Sequence, residues 1–132
     1  MIESVNDIES VSTPDAPAPA GHYVQALVHN GIIYVSGQLP GRPDGTSLAG
    51  APFVDQARQA IENLLAIIRA AGGCSERVLQ VTAYIAGVAY WPLFDRVFAE
   101  AFGSTRPARV VVPVPELHHG YLIELEARAA RT

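Results

Sequence analysis

Lysine is absent from all 132 residues, and the nine basic side chains are all arginine. That absence removes Schiff-base chemistry, so pyridoxal-phosphate and lysine-aldolase mechanisms are excluded, as is the lysine of a P-loop. Cysteine occurs once, as Cys74, directly after Gly72 and Gly73 at an expected helix end. No disulfide framework forms within the chain, and the lone thiol fits a reducing compartment. Basic residues are missing from Met1 to Asp7, where a signal peptide needs positive charge, and no apolar core follows. No run approaches the ~18–20 apolar residues of a membrane span. The chain therefore reads as soluble and cytoplasmic, with no membrane partner. Charge is sparse as well, with 17% charged residues and a net charge of −4. An acidic chain with scattered arginines is a poor binder of nucleic acid.

What is present is apolar. Nearly half the residues are hydrophobic, and mean hydropathy is positive. Residues 1–132 read as one domain able to form a core without disulfides or metal. So small a chain has much surface for its volume, so part of that apolar surface is expected to be hidden between subunits.

Residues 1–20 read as an extended lead-in, proline-rich from Ser12 to Ala20. Apolar runs from Tyr23 to His29 and from Ile32 to Ser36 flank Asn30 and Gly31, the strongest short hairpin signal. Gln38 to Pro52 is a Gly- and Pro-rich loop with a turn at Pro43, Asp44 and Gly45. From Val54 the period becomes helical: Val54, Ala57, Ile61, Leu64, Leu65 and Ile68 form one stripe. Asp55, Gln59, Glu62, Asn63 and Arg69 lie opposite. Gly72 and Gly73 close that helix. Val78 to Ile85 reads as a strand, and Trp91 with Pro92 opens a second helix. Its stripe is Phe94, Val97, Phe98, Ala101 and Phe102, and Gly103 ends it. Strands from Arg109 and from Tyr121 complete the order β-β-α-β-α-β-β. This is an α+β domain with a mixed sheet and two helices on one face. The uncovered face is expected to be buried in a symmetric oligomer, placing Arg109 and Glu124 near a subunit boundary.

In the last strand Tyr121, Ile123, Leu125 and Ala127 alternate with Leu122, Glu124 and Glu126, so both carboxylates share one face. Arginine offers a permanently charged planar fork that fits a carboxylate or phosphate. A strand-borne Arg109 beside a strand-borne Glu124 suggests a site for a small anion and a water, the alternative being an ion pair of Arg109 with Glu124, Glu126 or Asp95. The four histidines are not expected to bind metal. His118 and His119 are neighbours that point apart on extended backbone, and read as surface loop residues. Gly37, Gly41, Gly45 and Gly50 are too irregular for a phosphate loop. Ser36 lacks the context of a serine nucleophile.

Several segments in order carry a resemblance: Ala18 to Ala26, Tyr34 to Pro40, Gln56 to Leu64, Ala70 to Gly73, and Arg106 to Val110 followed by Ile123 to Ala127. Across residues 12–130 the chain resembles the reactive intermediate deaminase family, RidA or YjgF. The resemblance implies a chorismate-mutase-like fold, a homotrimer with clefts between subunits, and cofactor-free hydrolysis of 2-imino acids or their enamine precursors to 2-keto acids and ammonia. It makes Arg109 the grip on the substrate carboxylate and Glu124 the acid that orders the attacking water. Tyr23, Ser36 and the backbone at Gly37 line the pocket in the same way. Three positions depart from the family pattern: His22 stands for a proline, Val110 for a serine, and Asp95 for a commonly seen asparagine. These departures suggest a divergent subgroup. They also admit a trimer that binds small carboxylates without turnover, or a deaminase of a larger unsaturated amino acid. A ribonuclease activity, attached to some relatives, is disfavoured by charge.

Overall fold

A computed structural model describes residues 2–5, as backbone strand alone, and residues 7–132. Its strands are β1 (Ile2–Val5), β2 (Ile8–Val11), β3 (Ala26–His29), β4 (Ile32–Gln38), β5 (Val78–Ile85), β6 (Ala108–Pro113) and β7 (Ile123–Ala130). The helices are α1 (Phe53–Ala70) and α2 (Trp91–Phe102). One seven-stranded sheet runs in the order β1-β2-β3-β4-β7-β5-β6. Among the described residues only β5 and β6 pair in parallel, the geometry that a helical crossover such as α2 makes reachable.

From β3 onward the element order is the expected one. The hairpin forms because Asn30 and Gly31 both adopt positive φ (51° and 77°), the twist that joins paired strands with two residues. His29 then faces Ile32 in the register. The first eleven residues differ from the expected extended lead-in. There β1 and β2 form a further antiparallel hairpin that extends the sheet beyond β3, while Met1 and Asn6 lie outside the described residues. Alternation over so short a stretch is weak, so the pairing is decided by the free edge of β3 rather than by local pattern.

The core lies between the helices and one sheet face. Ile33 and Val35 of β4, Val81, Ala83 and Ile85 of β5, and Ile123, Leu125, Ala127 and Ala129 of β7 are all buried there. Leu64, Ile67 and Ile68 of α1 and Phe94 of α2 close over them. The stripe of α2 holds except at Ala101, which is exposed. Asn63 reverses its expected position and is buried. Its amide donates to the carbonyls of Leu39 (3.2 Å) and Gly41 (2.7 Å), so a polar side chain satisfies loop backbone that water cannot reach. Gln56, also buried, accepts from the Leu122 N–H at 2.9 Å and donates to the Ala51 carbonyl at 2.9 Å, fixing the entry into β7. Among the described residues no helix is long and apolar enough to cross a membrane.

The opposite sheet face is uncovered. Leu27, Tyr34 and Val110 are 39%, 43% and 49% exposed on it, and Glu124, Glu126 and Arg128 project from β7 on the same side.

Candidate functional site

The Pro-rich segment ahead of β3 is held by a single buried side chain. Gln25 accepts from the Thr13 N–H at 2.7 Å and donates to the carbonyls of Thr13 and Pro17 at 3.1 and 2.9 Å. Pinned this way, residues 17–21 form one wall of a pocket of about 390 Å³. Tyr23, Gly37 and Glu124 contribute to the rest, with His118, His119 and Tyr121. The Tyr121 hydroxyl is held by Ser47 at 2.8 Å.

Glu124 sits there because of Gly37. The pairing of β4 with β7 shifts between Val35 and Gln38, a bulge that brings the Gly37 backbone over the carboxylate. A Cβ at Gly37 would stand 2.6 Å from Glu124 Oε2, so any larger residue would push the acid from this position. Burial raises the Glu124 carboxyl above its ordinary value and the neighbouring Glu126 charge raises it further, while His118 pulls it down. A carboxylate shifted upward in a cleft, with no arginine or lysine bonded to it, is suited to hold a water and accept its proton.

Tyr23 is half exposed on the pocket rim, its hydroxyl accepting from the Ala20 N–H at 3.3 Å. Ser36 behaves otherwise than expected. Its hydroxyl donates to the Val24 carbonyl at 2.6 Å, and it is not part of the pocket wall. The shift in pairing between Val35 and Gln38 lies at this step, so Ser36 and Gly37 do not follow regular strand alternation.

Arg109 is not in this pocket. It pairs with Val81 in the register, on the helix-covered side of edge strand β6, whereas Glu124 pairs with Tyr84 on the open side. One chain therefore does not place the two side by side. Arg109 Nη2 reaches Asp95 Oδ1 at 2.8 Å, and the guanidinium lies 5.4 and 5.1 Å from the ring centres of Phe94 and Phe98. Of the ion-pair alternatives, the one formed is with Asp95. Arg109 also lines a separate cavity of about 300 Å³ with Asp95 and Arg106, so the fork is accessible rather than locked away. The cationic group is thus displayed at a sheet edge and the carboxylate in a cleft.

Sequence reasoning missed the histidines. His118 and His119 do not point apart: a tight turn, with His119 at φ 59°, brings their rings to 3.7 Å between centroids. The following Gly120, also at positive φ (74°), was the available signal that this backbone is not extended.

With this geometry in place, comparison with known proteins is decisive. The family model described as Endoribonuclease L-PSP matches residues 13–131. The chain belongs to that family, the YjgF/RidA/RutC family. A RutC family protein of Pyrococcus horikoshii is 38% identical over 121 residues, covering 92% of this chain and 96% of the relative. A 2-iminobutanoate/2-iminopropanoate deaminase of Dermatophagoides farinae is 34% identical over 117 residues, 89% of this chain and 91% of that one. Among solved structures, E. coli TdcF with bound serine superposes with a TM-score of 0.86 at 31% identity, covering 93% of this chain and 98% of that one. The α+β architecture expected from sequence is that of these family structures, with the N-terminal hairpin as an addition to the expected order.

Proposed function

We propose that this YjgF/RidA/RutC family member is a cofactor-free hydrolase of small 2-imino acids and their enamine precursors, releasing 2-keto acids and ammonia from clefts between the subunits of a homotrimer. The observation that carries the reading is Glu124, a half-buried carboxylate with raised proton affinity, seated under Gly37 in a pocket lacking a lysine or arginine of its own chain. A relative named as an imine deaminase supports the reaction class.

The geometry supports the oligomer. Arg109 and Glu124 face opposite sides of one sheet, and the open face exposes Leu27, Tyr34 and Val110. Packing copies through that face buries the apolar groups. It also brings the Arg109 edge of one copy to the Glu124 pocket of the next. Arg109 then grips the substrate carboxylate and Tyr23 lines the entrance. Glu124 orders the water that attacks C2, and the Gly37 backbone closes one side. An iminium carbon is already electrophilic, so positioning and one proton acceptor suffice.

The direct test generates imines with an amino acid oxidase and traps them with semicarbazide. Purified protein is expected to lower the trapped fraction, and protein that never accelerates imine loss removes the enzyme reading. The Arg109–Asp95 pair favours one rival, a carboxylate-binding trimer without turnover, since the fork already has an anionic partner. Saturable binding of a 2-keto acid without imine hydrolysis would establish it. The family description also names an endoribonuclease. A net charge of −4 without lysine weighs against a phosphate backbone as ligand, and salt-dependent RNA binding would overturn that judgement.

A further inference from the structure

We propose that His118 is the acid that protonates the departing amine in the Glu124 pocket, with His119 as its positioning residue. The inference rests on the deaminase reading above and divides its proton traffic between two groups.

Three observations place His118 there. It lines the same pocket of about 390 Å³ as Glu124. Its ring stacks against its neighbour's, the two exposed imidazoles standing 3.7 Å apart at 41°. His119 holds that stack from a left-handed backbone conformation, φ 59°, that side chains other than glycine adopt at a cost, and its other edge meets the Tyr121 ring at 88° and 6.3 Å. Strain kept at a pocket wall marks an arrangement that the surrounding structure enforces. The titratable groups sharing that wall are Glu124 from β7, Tyr121 just before it, His119 from its own turn and Tyr23 from the lead-in. In the proposed trimer Arg109 of a neighbouring copy joins them. His118 also lowers the Glu124 carboxyl, against the larger raising effects of burial and Glu126.

The chemistry needs two proton carriers. Water attacks C2 of the iminium, an O–C bond forms, and the C=N π pair moves to nitrogen, while the water's proton passes to Glu124. The product is a neutral carbinolamine. Its amine is a poor leaving group until protonated. Imidazolium His118 gives that proton, the C–N bond breaks with its pair on nitrogen, and ammonia departs. The carbinol hydroxyl returns a proton to His118 as the carbonyl forms. Ammonia then takes the proton held on Glu124, so iminium and water become 2-keto acid and ammonium with both side chains restored. A single carboxyl group would have to protonate the amine in the same geometry in which it had deprotonated the water.

The test compares pH profiles of wild type, His118→Gln and His119→Asn, the last keeping a residue that tolerates positive φ while removing the ring. For wild type kcat is expected to fall on the alkaline side, because the step needs a protonated imidazole. His118→Gln is expected to lower kcat about a hundredfold with KM nearly unchanged and to abolish that alkaline fall. Added imidazole is expected to restore part of the rate to His118→Ala. His119→Asn lowers kcat less and keeps the limb. Wild-type kcat and limb in His118→Gln overturn the proposal and leave the deaminase reading standing. A wild-type protein inert toward imines overturns both.

Discussion

Arg109 and Arg131 are equally exposed, each with 28% of its side chain accessible, yet their surroundings are opposite. Arg131 is bonded within the chain through all three of its nitrogens. Its Nη1 and Nη2 donate to both oxygens of Glu9 at 3.2 and 2.7 Å, and Nε donates to the Ala71 carbonyl at 2.9 Å. It fastens the C-terminal strand to the N-terminal hairpin and to the end of α1. Arg109 has one nitrogen on a half-exposed Asp95 and its plane against two phenylalanine rings, which orient the fork without using up its donors. The carboxylates divide the same way. Hydrogen bonding to Arg131 holds Glu9 below its ordinary value, while burial holds Glu124 above it. The Arg131–Glu9 charges are matched within the chain, and on the proposed function those of Arg109 and Glu124 are left for a ligand to match.

The sharpest way to break this contrast is Arg109→Ala. Removing one partner of a desolvated charge pair costs ~2–5 kcal/mol, so kcat/KM for a 2-imino acid should fall roughly 30- to several-thousand-fold. The thermal midpoint should barely move. A large stability loss would instead make Arg109 a second Arg131. Next comes Glu124→Gln, expected to lower kcat about a hundredfold, the low end for a proton-transfer group because the iminium is reactive. The stability effect has the opposite sign. A raised folded-state pKa favours the folded protein below the unfolded value, and that benefit is lost as pH rises through the folded value. At neutral pH the wild type therefore carries an unfavourable charge, and the glutamine variant should melt at a higher temperature there. The two proteins should converge in acid.

Gly37→Ala should cost about ten- to a hundredfold in kcat, because the new methyl displaces Glu124 Oε2 from 2.6 Å while the backbone itself accepts alanine. Denaturant midpoints would show whether the fold is otherwise intact. Smallest in rate and clearest in stability is Arg131→Ala. Activity should persist while the melting temperature falls. The lowered Glu9 value sets the sign: its contribution is present above the unfolded carboxylate range and lost as pH falls through the folded value. Acid melting curves of wild type and variant should therefore meet at low pH and separate above it.

Much of the frame was legible in the residues. Asn30 and Gly31 dictated a hairpin, the stripe through Ile61, Leu64 and Ile68 a helix, and the alternation around Glu124 a strand with its acids on one side. The misreadings share a cause. Asn63 was placed by polarity, but loop carbonyls need buried partners, and that need is invisible without the loop's path. Ser36 and Gly37 were taken together as pocket lining, until a bulge put the glycine over the acid and turned the hydroxyl to Val24. His118 and His119 were read on extended backbone, whereas the chain turns there.

By itself the sequence determined which side chains exist to do chemistry: a permanent cation on one strand, an acid on another, and no lysine to compete. It also determined that each lies on a pleated strand, because period and turn chemistry are local properties. Only tertiary structure decided that the cation and the acid face opposite sides of one sheet, and which of the charges are already matched. Those outcomes depend on strand order and register, in which β5 lies between β6 and β7. Pairing of segments distant in sequence is fixed by the packing of the whole core, and no local pattern encodes it.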